Sequence, residues 1–191
     1  MDEVLQEYKY NSRGVSMLNT ERLVLRPIEV TDYNDICEYG CDEETGRYML
    51  HWPKTEDHIV LFIERCIEIM KSDNITRYEY VMQLKENSKV IGNITLEARD
   101  SVAEIGWISN KNYWNNGYMS EAVKEIIKYA FNNLGINTIM ATCNDKNIAS
   151  YKVMEKCYMV RIKTELNHKA YKQGVEITFN RLIYCIEKKN Y

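Results

Sequence analysis

From Ser109 to Ser120 the chain reads Ser-Asn-Lys-Asn-Tyr-Trp-Asn-Asn-Gly-Tyr-Met-Ser, with asparagines and a glycine where a strand-like pattern gives way to a helical one. Backbone N–H groups that converge in such a turn, together with the orphan donors and the positive dipole end of the following helix, make an anion site. A diphosphate suits it. Gly117 lets a phosphate approach with no Cβ in the way, and Asn115 and Asn116 tolerate the left-handed conformations that such a nest needs. The Gly-Lys-Ser/Thr ending of a triphosphate loop and the three-glycine dinucleotide pattern are both missing, which argues against kinase and dehydrogenase chemistry. Taken alone, the segment also reads as an ordinary helix cap after an ordinary turn.

Around this loop the periodicities set out a mixed α/β chain. Arg22 to Ile28 alternates as a strand, and Thr31-Asp32 opens a short amphipathic helix. A longer helix starts at Pro53 to Thr55 and ends near Ser72, its stripe of Ile59, Phe62, Ile63, Cys66, Ile67 and Met70 marking a core face. Tyr78 to Leu84, Val90 to Glu97 and Val102 to Ile108 form three strands with short turns between them, an antiparallel meander. Ala122, Val123, Ile126, Ile127, Ala130, Phe131 and Leu134 then recur at helical spacing from Ser120 until Gly135. Thr138 to Cys143 is a strand, Asn147 to Lys156 a helix, and Met159 to Leu166 with Val175 to Ile186 a hairpin around Lys172-Gln173-Gly174. One domain spans residues 18–191, and residues 1–17 form a polar extension.

Composition narrows the classes. The 191 residues carry 25 Lys and Arg against 28 Asp and Glu, scattered throughout, so no basic field draws the protein to nucleic acid or an anionic membrane. Apolar runs fall far short of the roughly 20 residues of a membrane span. Six cysteines without CxxC spacing and an amino terminus without an apolar signal segment point to reduced thiols in the cytoplasm. His51, His58 and His168 are too dispersed to suggest a metal site, and none is expected.

The order Tyr113-Trp114-Asn115-Asn116-Gly117-Tyr118-Met119-Ser120-Glu121-Ala122, followed by Tyr129-Ala130-Phe131 and Leu134-Gly135, closely resembles the acetyl-CoA motif of GNAT acetyltransferases. Asn147-Ile148-Ala149-Ser150, Val153 and Glu155-Lys156 extend the likeness, as do Thr20-Glu21-Arg22-Leu23 and Leu25-Arg26-Pro27. It covers roughly Leu18 to Ile186 and is nearest to the ribosomal-protein N-acetyltransferase (RimJ/RimL) type. The pattern departs at Trp114 and Met119, where the family loop carries Gln/Arg and Gly/Ala, and at Cys157-Tyr158, where Gly-Phe is usual. Phosphate binding through backbone amides survives such changes. The resemblance implies a central mixed, mostly antiparallel, splayed sheet of about seven strands flanked by about four helices. It also implies a gap between Glu104 to Ser109 and Thr138 to Cys143 for the pantetheine arm of acetyl-CoA. Backbone groups of Trp107, Ile108 and Ser109 would pair with pantetheine amides, Trp114, Asn115, Asn116, Gly117, Tyr118, Met119 and Ser120 would hold the pyrophosphate, and Asn147 and Ser150 would lie near the thioester.

Acetyl transfer to nitrogen needs a neutral amine, a polarised carbonyl and a proton for the departing thiolate. At pH 7 a lysine amine with pKa ~10.4 is only about 0.04% neutral, whereas an α-amine near ~7.7 to 8.0 is on the order of 10% neutral. A protein or peptide amino terminus is therefore the expected acceptor. A polyamine, amino sugar or drug is the alternative, as is a non-catalytic acyl-CoA-binding module. Glu104 and Glu165 are the candidate bases; alternation leaves open whether Glu104 faces the cleft or solvent. Many GNAT enzymes carry a tyrosine seven residues after the asparagine, and here that residue is Met154. Ser150 is left as donor to the thiolate or as a helix cap, with Tyr151 nearby. Cys143 lacks a neighbouring histidine to activate it as a nucleophile. Glu38, Asp42, Glu43, Glu44, Glu165 and His168 are expected at the acceptor surface. Trp52 and Tyr48 are assigned either to that surface or to a dimer interface, the oligomeric state being monomer or homodimer.

Overall fold

A computed structural model describes residues 15–51 and 55–191. Most of the expected 1–17 extension, Trp52 and a helix start at Pro53 lie outside the described residues. The elements are β1 (Leu18–Asn19), β2 (Leu23–Pro27), α1 (Tyr33–Gly40), α2 (Glu56–Lys71), β3 (Arg77–Leu84), β4 (Val90–Arg99) and β5 (Val102–Ser109). They continue with α3 (Tyr118–Asn133), β6 (Thr138–Asn144), α4 (Ile148–Lys156), β7 (Val160–Lys172) and β8 (Val175–Glu187). The strands make one sheet in the order β1-β2-β3-β4-β5-β6-β8-β7, antiparallel throughout except between β5 and β6. The mixed, mostly antiparallel sheet and four helices expected from the sequence are thus present among the described residues. The eighth strand is the two-residue β1.

Cross-strand register shows which face each helix covers. Tyr80 meets Tyr129 of α3 edge-on at 6.5 Å, and Tyr80, Ile94 and Trp107 are register partners across β3, β4 and β5, so all three face α3. On the other face Tyr39 of α1 donates to Asn93 Oδ1 at 3.0 Å. Asn93 pairs in register with Ile108, which puts Ile108, Gly106 and Glu104 on the α1 side. The stripe of α2 is buried at Ile59, Ile63, Cys66, Ile67 and Met70, and Thr55 caps the helix by accepting from the His58 N–H. Beneath α1 the buried Glu79 accepts from Asn93 Nδ2 and, at 2.7 Å, from Thr95 Oγ1. Burial raises its carboxyl above the usual range despite those donors.

Two boundaries differ from the sequence reading. Helix α3 starts at Tyr118, two residues before Ser120, because Gly117 takes φ +79° and serves as the N-cap. The final hairpin is longer, with β7 running to Lys172 and the chain reversing through Gln173 and Gly174, both left-handed at φ +54° and +78°. Register shifts between Arg161 and Lys163 and between Glu165 and His168 break the alternation that would have revealed the strand beyond Leu166.

What positions the site is the divergence of β5 from β6. They pair only at Val102↔Thr138, Ala103↔Ile139 and Glu104↔Met140. Past that point β5 follows β4 as far as Gly92↔Ser109, while β6 follows β8 as far as Asn144↔Arg181. A Cβ on Gly92 would stand 2.5 Å from the Ile108 carbonyl oxygen, so only glycine lets β5 lie this close to β4. The result is a wedge-shaped gap inside the sheet.

Candidate active site

A cavity of about 580 Å³ passes through this gap from the α3–α4 face to the α1–α2 face. On the α3–α4 side it is lined by Trp107, Ser109, Trp114, Asn115, Gly117, Tyr118, Met119 and Ser120, with Asn147 and Ser150 of the α4 start. On the opposite face it is lined by Glu104 and Ile108, by residues 45 and 47–50 of the α1–α2 connection, and by His168, Lys172, Ile177, Phe179 and Arg181 of the hairpin.

Two of the three loop residues read as suited to left-handed backbone adopt it. Asn115 and Gly117 are left-handed, at φ +63° and +79°, whereas Asn116 is not among the positive-φ residues. Asn116 holds the turn instead: its Nδ2 donates to the carbonyls of Tyr113 (3.3 Å) and Trp114 (3.0 Å), and it does not line the cavity. Gly117 supplies no side-chain cap, so the N–H groups of the first turn of α3 are left for a guest. Trp114, standing where the family pattern has a long polar residue, donates its indole Nε1–H to the Ser109 carbonyl at 2.9 Å.

Main-chain directions along β5 alternate. The Asn110 N–H donates to Ile91 on the β4 side, and the Ser101 carbonyl accepts from Asn137 and Thr138 on the β6 side. Odd-numbered residues therefore turn their main-chain groups toward the gap. Trp107 and Ser109 turn their main-chain groups toward the cavity, while Ile108 turns its own toward β4. Uncapped helical N–H groups, an unpaired strand edge and a narrow cavity between them match an elongated diphosphate with an amide-bearing arm.

A contact between distant segments fixes the loop. Glu121, in the first turn of α3, accepts from Thr20 Oγ1 (2.5 Å), the Arg22 N–H (2.8 Å) and Arg22 Nε (2.7 Å). Arg22 Nη1 donates to the Asn116 carbonyl at 3.0 Å, and the guanidinium lies 4.3 Å from the Tyr118 ring centre. Burial alone would raise the Glu121 carboxyl, but these donors hold it below the usual range.

At the centre Ser150 follows its cap, Asn147, whose Oδ1 accepts from the Ser150 N–H at 3.2 Å. Cys143 also lines the cavity; burial pushes its thiol up to about 11, an effect only partly offset by a hydrogen bond with Ser150. That leaves it a poor nucleophile at neutral pH. Met154 is buried, and Tyr151 packs against the core without lining the cavity.

On the α1–α2 face the acidic surface expected from the sequence is not what the cavity meets. Glu38 pairs with Lys89 and accepts from Asn110 Nδ2 (2.9 Å), Asp42 and Glu44 pair with Lys111, and none of them nor Glu43 lines the cavity. Glu165 also lies outside the lining. It accepts from Lys163 Nζ at 2.7 Å and from Arg181 Nε and Nη2 at 2.8 and 2.6 Å, and these donors lower its carboxyl below the usual range. Among the described lining residues Glu104 is the one carboxylate, against Arg47, Lys152, Lys156, Lys172 and Arg181. Sequence reasoning assigned none of the five to the site: Lys152 and Lys156 lie on α4, and Arg47, Lys172 and Arg181 reach the gap only because tertiary packing brings the hairpin and the α1–α2 connection there. Lys172 Nζ makes that junction, donating to the carbonyls of Gly46 (3.2 Å) and Arg47.

The family profile described as an acetyltransferase (GNAT) domain matches residues 22–160. YnaD of Bacillus subtilis, described as an uncharacterised N-acetyltransferase, is 34% identical over 146 residues, or 75% of this chain and 82% of that one. Among solved structures, the ribosomal-protein α-N-acetyltransferase RimL in complex with coenzyme A superposes with a TM-score of 0.78, at 14% identity over 90% of this chain and 98% of that one. A spermidine N-acetyltransferase from Vibrio cholerae with coenzyme A and spermine superposes with a TM-score of 0.74, at 18% identity over 88% of this chain and 97% of that one. With a splayed sheet, a glycine-opened helix start and a family profile all meeting at the same gap, the chain belongs to the GNAT family of acetyl-CoA-dependent N-acetyltransferases.

Proposed function

We propose that the acceptor is the α-amine of a protein or peptide amino terminus, as in the RimJ/RimL type, and that it attacks the thioester directly. The observation that carries this reading is Glu104, the one carboxylate among the described residues of the cavity lining, on the face opposite the diphosphate loop. Between ammonium and amide the nitrogen gives up two protons and bonds to the carbonyl carbon as the C–S bond breaks. Glu104, directly or through a water, relays one proton to solvent; the other balances the departing thiolate, which receives a hydrogen bond from the Ser150 hydroxyl. Assistance from a single carboxylate suits an α-amine, whose deprotonation at pH 7 costs about 1.5 kcal/mol, better than a lysine at about 4.6 kcal/mol. A polyamine would bring several positive charges to an acceptor face that already holds Arg47, Lys172 and Arg181.

Release of free thiol from acetyl-CoA, measured across amino-terminal peptides, lysine peptides, polyamines and aminoglycosides, tests the proposal. Amino-terminal peptides are expected to give the highest kcat/KM. Preference for spermidine or an aminoglycoside would replace it with a small-molecule enzyme.

The Arg22–Glu121 contact predicts a separate effect on the donor. Arg22→Ala removes the brace of the Asn116 carbonyl and leaves Glu121 without its guanidinium partner beside the diphosphate site, so KM for acetyl-CoA is expected to rise about tenfold with kcat little changed. Arg22→Lys, which cannot bridge both partners, should recover only part of the loss.

A further inference from the structure

The charged side chains on the acceptor face of the cavity are arranged for an anion. Arg47 lies at its rim with its guanidinium 5.3 Å from the Tyr48 ring centre and no carboxylate within 4 Å among the described residues. Arg181 gives Nε and Nη2 to a single oxygen of Glu165, which leaves Nη1 for another partner. Lys172 ties its ammonium to the carbonyls beside Arg47, and His168 stands near the same Glu165 oxygen at 3.5 Å. Against these cations the described lining offers one carboxylate, Glu104, and the acids of α1 and its following turn are held by Lys89 and Lys111. A guest with a second positive charge would meet Arg47 and Arg181 with no carboxylate to receive it. A guest with a negative charge next to its amine would complete both guanidinium partnerships.

We propose that the acceptor carries a carboxylate within a residue or two of the amine that is acetylated, and that Arg47 and Arg181 receive it. The inference rests on the acetyl-transfer reading above and narrows its acceptor. The carboxylate has two sources, the side chain of an acidic residue near a peptide amino terminus or the α-carboxylate of a free amino acid. Arg47 at the rim reads the charge, and the Glu165 contact holds Arg181 in place, so Arg47 and Arg181 set specificity and Glu165 is a positioning residue.

Three carboxamide-capped peptides that differ only in a second-position Glu, Gln or Lys, together with free amino acids and their amides, are assayed by thiol release with the wild type and Arg47→Glu. The Glu peptide is expected to exceed the Gln peptide by about fivefold in kcat/KM, mostly through KM, and the Lys peptide to fall below both. In Arg47→Glu the order of the Glu and Lys peptides should invert while KM for acetyl-CoA stays put, a reversal that general damage to the fold would not give. A free amino acid used better than its amide, with no preference among the peptides, would assign the carboxylate to the second source. Equal rates for all three peptides and for each amino acid and its amide, or a preference for the Lys peptide, would overturn the inference and leave acetyl transfer intact. Absence of thiol release with every amine would overturn both.

Discussion

Gly117→Asp is expected to weaken acetyl-CoA binding by roughly 100-fold or more while the protein stays folded. The residue is left-handed at φ +79°, a conformation that costs an ordinary residue about 1–2 kcal/mol but aspartate less, because its side chain bonds locally. A Cβ there meets nothing nearer than Arg22 Nη2 at 3.6 Å, so there is room for the side chain. The new carboxylate stands at the N-cap of α3, where it can take the first-turn N–H groups for itself and set a negative charge where a diphosphate must sit. Calorimetric titration with acetyl-CoA, read beside the thermal midpoint, separates the effects. Gly117→Ala carries the backbone strain without the charge and should lose about tenfold or less. If Gly117→Asp binds as tightly as the wild type, the diphosphate is not held at this helix start.

Glu104→Gln is expected to lower kcat by about 10²-fold, within the range for loss of a general base, and to leave KM for acetyl-CoA near its wild-type value. The side chain lies on the α1 face, opposite the loop, so donor binding has no reason to change. The pH profile supplies a sharper readout. In Glu104→Gln, with no side-chain base, the rate follows the neutral fraction of the amine. Raising the pH from 7 to 9 should then recover about tenfold with a peptide α-amine, as its neutral fraction approaches one. Unchanged kcat in the variant would mean that the amine loses its proton to solvent without help, and Glu104 would be only a strand carboxylate.

The loop side of the candidate site was legible in the sequence and the hairpin side was not, for a physical reason. Gly117 and Asn115 act through backbone conformation, which residue type and local order specify, and the stripe of α3 announces the helix that they open. Glu104 was visible as a strand carboxylate, but alternation gives two faces without naming them. The contacts that decide, Tyr39 with Asn93 and Tyr80 with Tyr129, join segments far apart in the chain. Arg47 and Arg181 carry no local signature at all, and acids such as Asp42 looked available only because their partner Lys111 lies in another segment. The run of β7 past Leu166 was hidden by its register shifts, which moved apolar residues off any fixed period.

The divergence of β5 from β6 gives the sheet two edges that face inward. A strand edge at the rim of a sheet invites any passing chain to pair with it. This pair is enclosed by two helices and the loop, and one of its acceptors, the Ser109 carbonyl, is already occupied by the Trp114 indole. On the proposed reading, a thioester arm with amides of its own would fill this opening as a removable ninth strand. Five strands on one side and three on the other would then be joined beyond their three register pairs only while the donor is held, and the donor would form part of the surface that the acceptor meets.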